Sequence, residues 1–149
     1  MSNITRGKIK FVIWKPTDQY VNNAGLTDDT DFKVVCGISP GWIKWRLYLL
    51  ASQADITCDW IFGWTYPATG LITWNLVANN TGAADGLLAT STPTVLNATA
   101  GITPIEFNGI FRTVSNGGTF QFRWGQNAPS ATNSLIAKGS FMEYELMPS

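Results

Sequence analysis

The strongest constraint on this chain is an alternation of apolar and polar residues that returns along its length with a period of two. In WIKWRLYLL (42–50), Ile43, Trp45, Leu47 and Leu49 share one side, and Lys44, Arg46 and Tyr48 take the other. Successive side chains point to opposite faces only in an extended strand, so this period specifies a strand with one buried face. KIKFVIWK (8–15) repeats it with Ile9, Phe11 and Ile13. ITCDWIFGW (56–64) places Ile56, Cys58, Trp60, Phe62 and Trp64 on a single face. The same pattern predicts strands over 31–36, 71–77, 105–114, 119–125 and 140–147. No window carries a helical stripe.

Turn chemistry separates these runs at Ser39-Pro40-Gly41, Pro67 to Gly70, Asn79-Asn80-Thr81-Gly82 and Asn116-Gly117-Gly118. The small-residue stretch 83–101 is the most loop-like part, with room for one short strand or turn. About eight strands with no crossover helices between them predict an antiparallel, all-β sandwich or jelly roll. The 149 residues suffice for one domain with a real core, and residues 1–7 form a candidate N-terminal arm.

Charged residues are only 13% of the chain, against roughly 25% in ordinary soluble domains, while aromatics also supply 13% and include seven tryptophans. Part of this apolar surplus is expected at a subunit interface, in a symmetric homo-oligomer. Ten basic and ten acidic residues leave no net charge and no basic cluster, which argues against a nucleic-acid partner. The N-terminus MSNITRGKIKF has no signal-peptide core, and no run approaches the ~20 apolar residues of a membrane helix. Cys36 and Cys58 are therefore expected as buried free thiols, with a disulfide open if neighbouring strands bring them together.

The chain contains no histidine, so Ser-His-Asp and Cys-His nucleophile arrangements are unavailable. Two carboxylate pairs are candidates for glycoside hydrolysis, Asp55 with Asp59 and Glu143 with Glu145. Strand alternation favours a solvated outer face for the glutamates, a turn role for Asp55 and an outward position for Asp59. The acidic run LTDDTDF (26–32) lacks the glycine and distal glutamate of a calcium loop and is expected as a structural turn capping the next strand. Asn3-Ile4-Thr5, Asn79-Asn80-Thr81 and Asn97-Ala98-Thr99 match the glycosylation sequon, without an export signal to give it meaning. The ladder Trp60, Phe62, Trp64 is expected to be core before sugar platform. No catalytic, cofactor-binding or metal-ligating set is assigned.

Three blocks resemble a family of small virion proteins of tailed bacteriophages, with a jelly roll like that of the tumour necrosis factor superfamily. They are DQYVNNAGLTDDTDFKV (18–34), WRLYLLASQADITCDWIFGWTYPA (45–68) and the closing stretch, in which Trp124, Gln126, Asn127, Gly139 and Ser140 fall in place. Gly125 stands where alanine is usual in that pattern, and Cys58 where other residues are common. The resemblance implies a non-enzymatic homotrimer made in the host cytoplasm and carried on the virion. With no shaft-like segment ahead of the first strand, it is expected to decorate and cement the capsid by binding the major capsid protein. The alternative is a receptor- or glycan-binding domain of a tail fibre or spike, using loops around Pro67 to Gly70, 79–101 and 127–134 near Trp64 and Trp74. A depolymerase resting on Glu143 or Asp59 is the distant third. Trp42, Tyr48 and Leu50, on the less apolar face of their strand, and Phe141 and Tyr144 near the C-terminus are the candidate trimer-interface residues.

Overall fold

A computed structural model describes residues 9–37, 41–79, 86–89, 94–98, 101–113 and 117–148. The candidate arm 1–7, the sequons at Asn3, Asn79 and Asn97 in whole or part, the Ser39-Pro40 turn and much of 80–100 lie outside the described residues. Among the described residues there is no helix. The strands are β1 (Lys10–Trp14), β2 (Gln19–Val21), β3 (Thr27–Cys36), β4 (Gly41–Gln53), β5 (Trp60–Thr65) and β6 (Leu71–Asn79). They continue as β7 (Gly86–Ala89), β8 (Thr94–Leu96), β9 (Ile102–Thr113), β10 (Gly118–Gln126), β11 (Ser134–Ile136) and β12 (Phe141–Pro148).

All eight predicted strands are present, and β2, β7, β8 and β11 add to them. These four are three or four residues long, too short for a period of two to register. The larger sheet runs β1-β12-β4-β9-β6-β7, with β11 joining β2 to β4; the smaller runs β3-β10-β5-β8. Every strand pairing is antiparallel. From β3 to β5 and again from β8 to β10 the chain changes sheet at each connection, and β6–β7 is a hairpin on the larger sheet's edge. This is a jelly-roll-type sandwich. Non-local pairing of this kind lets each strand bury one face against the opposite sheet.

The core is aromatic across the whole gap between the sheets. Phe120 of β10 stacks on Trp64 of β5 (centroids 4.5 Å apart, planes 2° from parallel) and on Phe111 of β9 (4.8 Å, 8°). Phe62 of β5 meets Phe107 of β9 edge-on at 5.2 Å. Each of these phenylalanines, fully buried, contributes on the order of 1.5–3 kcal/mol through removal from water, with ring geometry adding to that. The ladder Trp60, Phe62, Trp64 is thus core, as its alternation predicts.

Two local expectations need correction. Ile56 does not begin the ladder: it is 58% exposed, in the turn that precedes β5. The Asp55 carboxylate accepts from the Thr57 backbone N–H (3.0 Å) and hydroxyl (2.6 Å), which closes a turn and takes Ile56 out of strand geometry. The acidic run 26–32 is not a turn ahead of a strand but the first part of β3 itself. Asp29 caps from within it, accepting from the backbone N–H groups of Asp31 and Phe32 opposite a register shift in β10.

The closing stretch behaves as a scaffold. The Gln126 side chain donates to the Thr132 carbonyl and the Ser134 hydroxyl and accepts from the Ser130 backbone N–H, so it organises the loop between β10 and β11. Ser134 in turn donates to Gln53. Gly139 takes a φ of +87°, and the Ser140 hydroxyl accepts from Leu50 N–H and donates to Ala137 C=O where β12 begins. Gly125, the departure from the alanine pattern, has a cause: a Cβ there would overlap the Gly25 carbonyl. The 23–25 segment crosses that position, hydrogen-bonding to Gln126 on both sides of the peptide.

Candidate interaction face and a buried ion cluster

The outer face of the larger sheet is where an unpaired surface and charged groups coincide. Its strand register sorts the outward side chains into rows. Trp14, Phe141 and Tyr48 make one row across β1, β12 and β4. Phe141 stacks on Tyr48 (5.3 Å, 22°) and meets Trp14 at 5.0 Å. Val12, Glu143, Arg46, Asn108 and Asn75 make the next outward row, and Lys10, Glu145, Lys44, Ile110 and Thr73 the one after. Met147, Trp42, Arg112 and Leu71 close the face, with the Arg112 guanidinium 5.5 Å from the Trp42 ring.

The two middle rows line a cleft of about 460 Å³. Opposite charges pair beside one another along and next to these rows. Lys10 lies 3.6 Å from Glu145, and Arg46 Nε donates to Glu106 at 2.6 Å. The Glu106 hydrogen bond, reinforced by the negative charge of Glu143, raises the Arg46 guanidinium above its ordinary range. Glu143 and Glu145 do face outward, but within this cleft and half-buried, each beside a cation across the register. They form rungs of a charge ladder. In the other carboxylate pair, Asp55 accepts from Thr57 and from the Ser130 hydroxyl, a turn role.

Of the five interface candidates, Trp42, Tyr48, Leu50 and Phe141 share this outer face. Tyr144 does not. It lies on the inner face, stacked on Phe11 at 4.9 Å and packed against the core. Trp14, 60% exposed, was hidden from the sequence pattern because it ends an edge strand whose other side is apolar too. Of the tryptophans expected near loop ends, Trp74 is buried and Trp64 is half-buried against Phe120 and Trp45. Cys36 and Cys58 are both buried free thiols, with Cys58 donating to the Ala128 carbonyl.

A second concentration of charge is internal. Lys15, just past β1, extends its ammonium between Asp29 (3.0 and 2.9 Å to the two oxygens) and Asp31 (2.9 Å) of β3. The side chains of Lys15 and Asp29 have no solvent exposure. Gln19 accepts the third ammonium hydrogen at 2.9 Å, and Trp124 Nε1 donates to Asp29 at 3.2 Å. Burial alone would raise the Asp31 carboxyl; hydrogen bonds from Lys15 and Thr30 bring it below the ordinary range. Sequence spacing pointed to the acids but not to Lys15, which joins them only because β1 and β3 are edge strands of opposite sheets at the same corner.

No protein-family model, curated protein or solved structure matches this chain.

Proposed function

We propose that this chain is a non-enzymatic structural protein of a tailed-bacteriophage virion, acting as a homotrimer that decorates and cements the capsid. The observation that carries the proposal is the composition of the larger sheet's outer face. In a sandwich this side ordinarily meets water and is polar. Here it exposes Trp14, Trp42 and Leu71 at 60%, 39% and 58%, in rows on either side of a charge-paired belt. Aromatic rows flanking compensated charges are what a protein partner can cover without stranding a charge. The three sequence blocks that resemble phage virion proteins supply the assembly and the capsid partner. A decoration protein of this kind stabilises the shell by binding its assembled form in preference to free subunits.

The test has two parts. Light scattering of the purified protein should give the mass of three chains, and Trp14→Ser with Tyr48→Ser should lower it without loss of β-sheet circular dichroism. Cryo-electron microscopy of the virion should place the copies on the head; copies confined to the tail would sink the capsid assignment.

One observation favours a second reading, glycan recognition by a tail domain. The cleft offers Asn75, Asn108, Thr73 and paired charges within one concavity, a hydrogen-bonding inventory suited to sugar hydroxyls. Binding of host surface polysaccharide that is lost in Asn108→Ala would establish it.

A further inference from the structure

We propose that Lys15 and Asp29 become joined by an intramolecular isopeptide bond, an amide between the Lys15 side-chain nitrogen and the Asp29 side-chain carbon. The proposal is independent of the virion reading and rests on the geometry of the buried cluster. Lys15 Nζ stands 3.0 and 2.9 Å from the two Asp29 oxygens. An atom that close to both oxygens lies within roughly 3–3.5 Å of the carboxyl carbon, the separation of a near-attack conformer. Neither side chain touches solvent, so water neither competes for the carbon nor readily hydrolyses the product.

The surrounding groups match the requirements of the step. Proton transfer from Nζ to Asp29 Oδ2, 2.9 Å away, supplies the neutral amine and the neutral acid from which the step proceeds. The amine lone pair attacks the Asp29 carbon. Oδ1 takes up the negative charge where the backbone N–H groups of Asp31 (2.9 Å) and Phe32 (3.0 Å) already donate to it. Asp31, whose Oδ2 is 2.9 Å from Nζ, removes a proton from the attacking nitrogen. It returns that proton to the other Asp29 oxygen, whose bond to carbon breaks as the C=O reforms. One water leaves, Asp31 is a carboxylate again, and no oxidant or cofactor is consumed. The Asp31 side chain is 23% exposed and marks the exit for that water. The buried Phe32 ring lies under Nζ, 5.1 Å away. The amide would tie the end of β1 to β3, and so the larger sheet to the smaller, at a corner where edge strands are otherwise free to part.

Mass spectrometry of the intact, denatured wild-type protein is the test. The expected mass is one water below that of the sequence, with or without Met1. Lys15 precedes Pro16, so trypsin should release both residues in the single peptide 11–33, one water lighter than its sequence and without backbone fragments between Lys15 and Asp29. Lys15→Arg and Asp29→Ala should restore the full mass. Asp31→Asn, folded by circular dichroism, should also stay at full mass, which a merely structural role for Asp31 would not require. Folded wild-type protein at the full sequence mass would overturn the proposal and leave a plain buried ion pair. So would a water loss that persists in Lys15→Arg, or that maps to a succinimide at Asp85-Gly86.

Discussion

Gly109 of β9 lies beneath the indole of Trp45, its register partner on β4, so closely that a Cβ at position 109 would come within 2.5 Å of the ring. The Thr73 carbonyl on the other neighbouring strand blocks the same space. Neither obstacle is the free end of a flexible chain. Gly109→Ala should therefore destabilise the fold by about 1–3 kcal/mol through overpacking, seen as a lower urea midpoint with little change in slope.

Phe122 tests the aromatic core from the opposite direction. It is fully buried and touches Phe62, Phe32 and Trp64. Phe122→Ala removes those contacts and leaves a cavity between rigid rings, so a loss of about 3–5 kcal/mol is expected in the same denaturation measurement.

Thr69 has a φ of +71° in the turn that Gly70 N–H closes onto the Pro67 carbonyl. A β-branched residue is disfavoured there, by roughly 1–2 kcal/mol for the left-handed region. Thr69→Gly should relieve that strain and leave stability equal or raised despite glycine's greater unfolded-state freedom. A fall of the melting temperature by several degrees would contradict it.

Asp55 carries a pH signature. Hydrogen bonds from Thr57 and Ser130 hold its carboxyl below the ordinary aspartate range. A depressed folded-state value means that its contribution is complete above the unfolded value of about 3.9 and is lost as the pH falls through the folded one. Wild type and Asp55→Asn should thus differ in urea midpoint at neutral pH, and the difference should start to shrink only as the pH falls below about 3.9. A constant difference across that range would show that charge at position 55 plays no part.

Burial raises the Cys36 thiol above its ordinary value, and Cys58 is equally enclosed. Thiolate is the reactive form at Cys36 and access is closed at both positions, so both should resist an aromatic disulfide reagent in the native protein and react together on unfolding. Rapid labelling of either one under native conditions would be the contrary result.

The long strands were legible because each is half-buried, and a half-buried strand writes its burial into every second residue. Ile43, Trp45, Leu47 and Leu49, or Trp60 and Phe62, needed no partner to be recognised as core. The short strands carried no such record. Nor did Ile56 and Tyr144, whose surroundings are set by a turn and by an edge strand rather than by their own periodicity. Of the outer face, the sequence indicated Trp42, Tyr48, Leu50 and Phe141 but not Trp14.

By itself, then, the sequence determined an all-β sandwich, an aromatic interior, buried thiols and the absence of histidine chemistry, because composition and a two-residue period are local properties. Only the tertiary structure decided which side chains meet. Strand register set Trp14 beside Phe141 and Glu143 beside Arg46. The crossing of the chain between two sheets brought Lys15, fourteen residues upstream, onto Asp29. Register and crossover depend on pairings between distant segments, and no short window of sequence contains them.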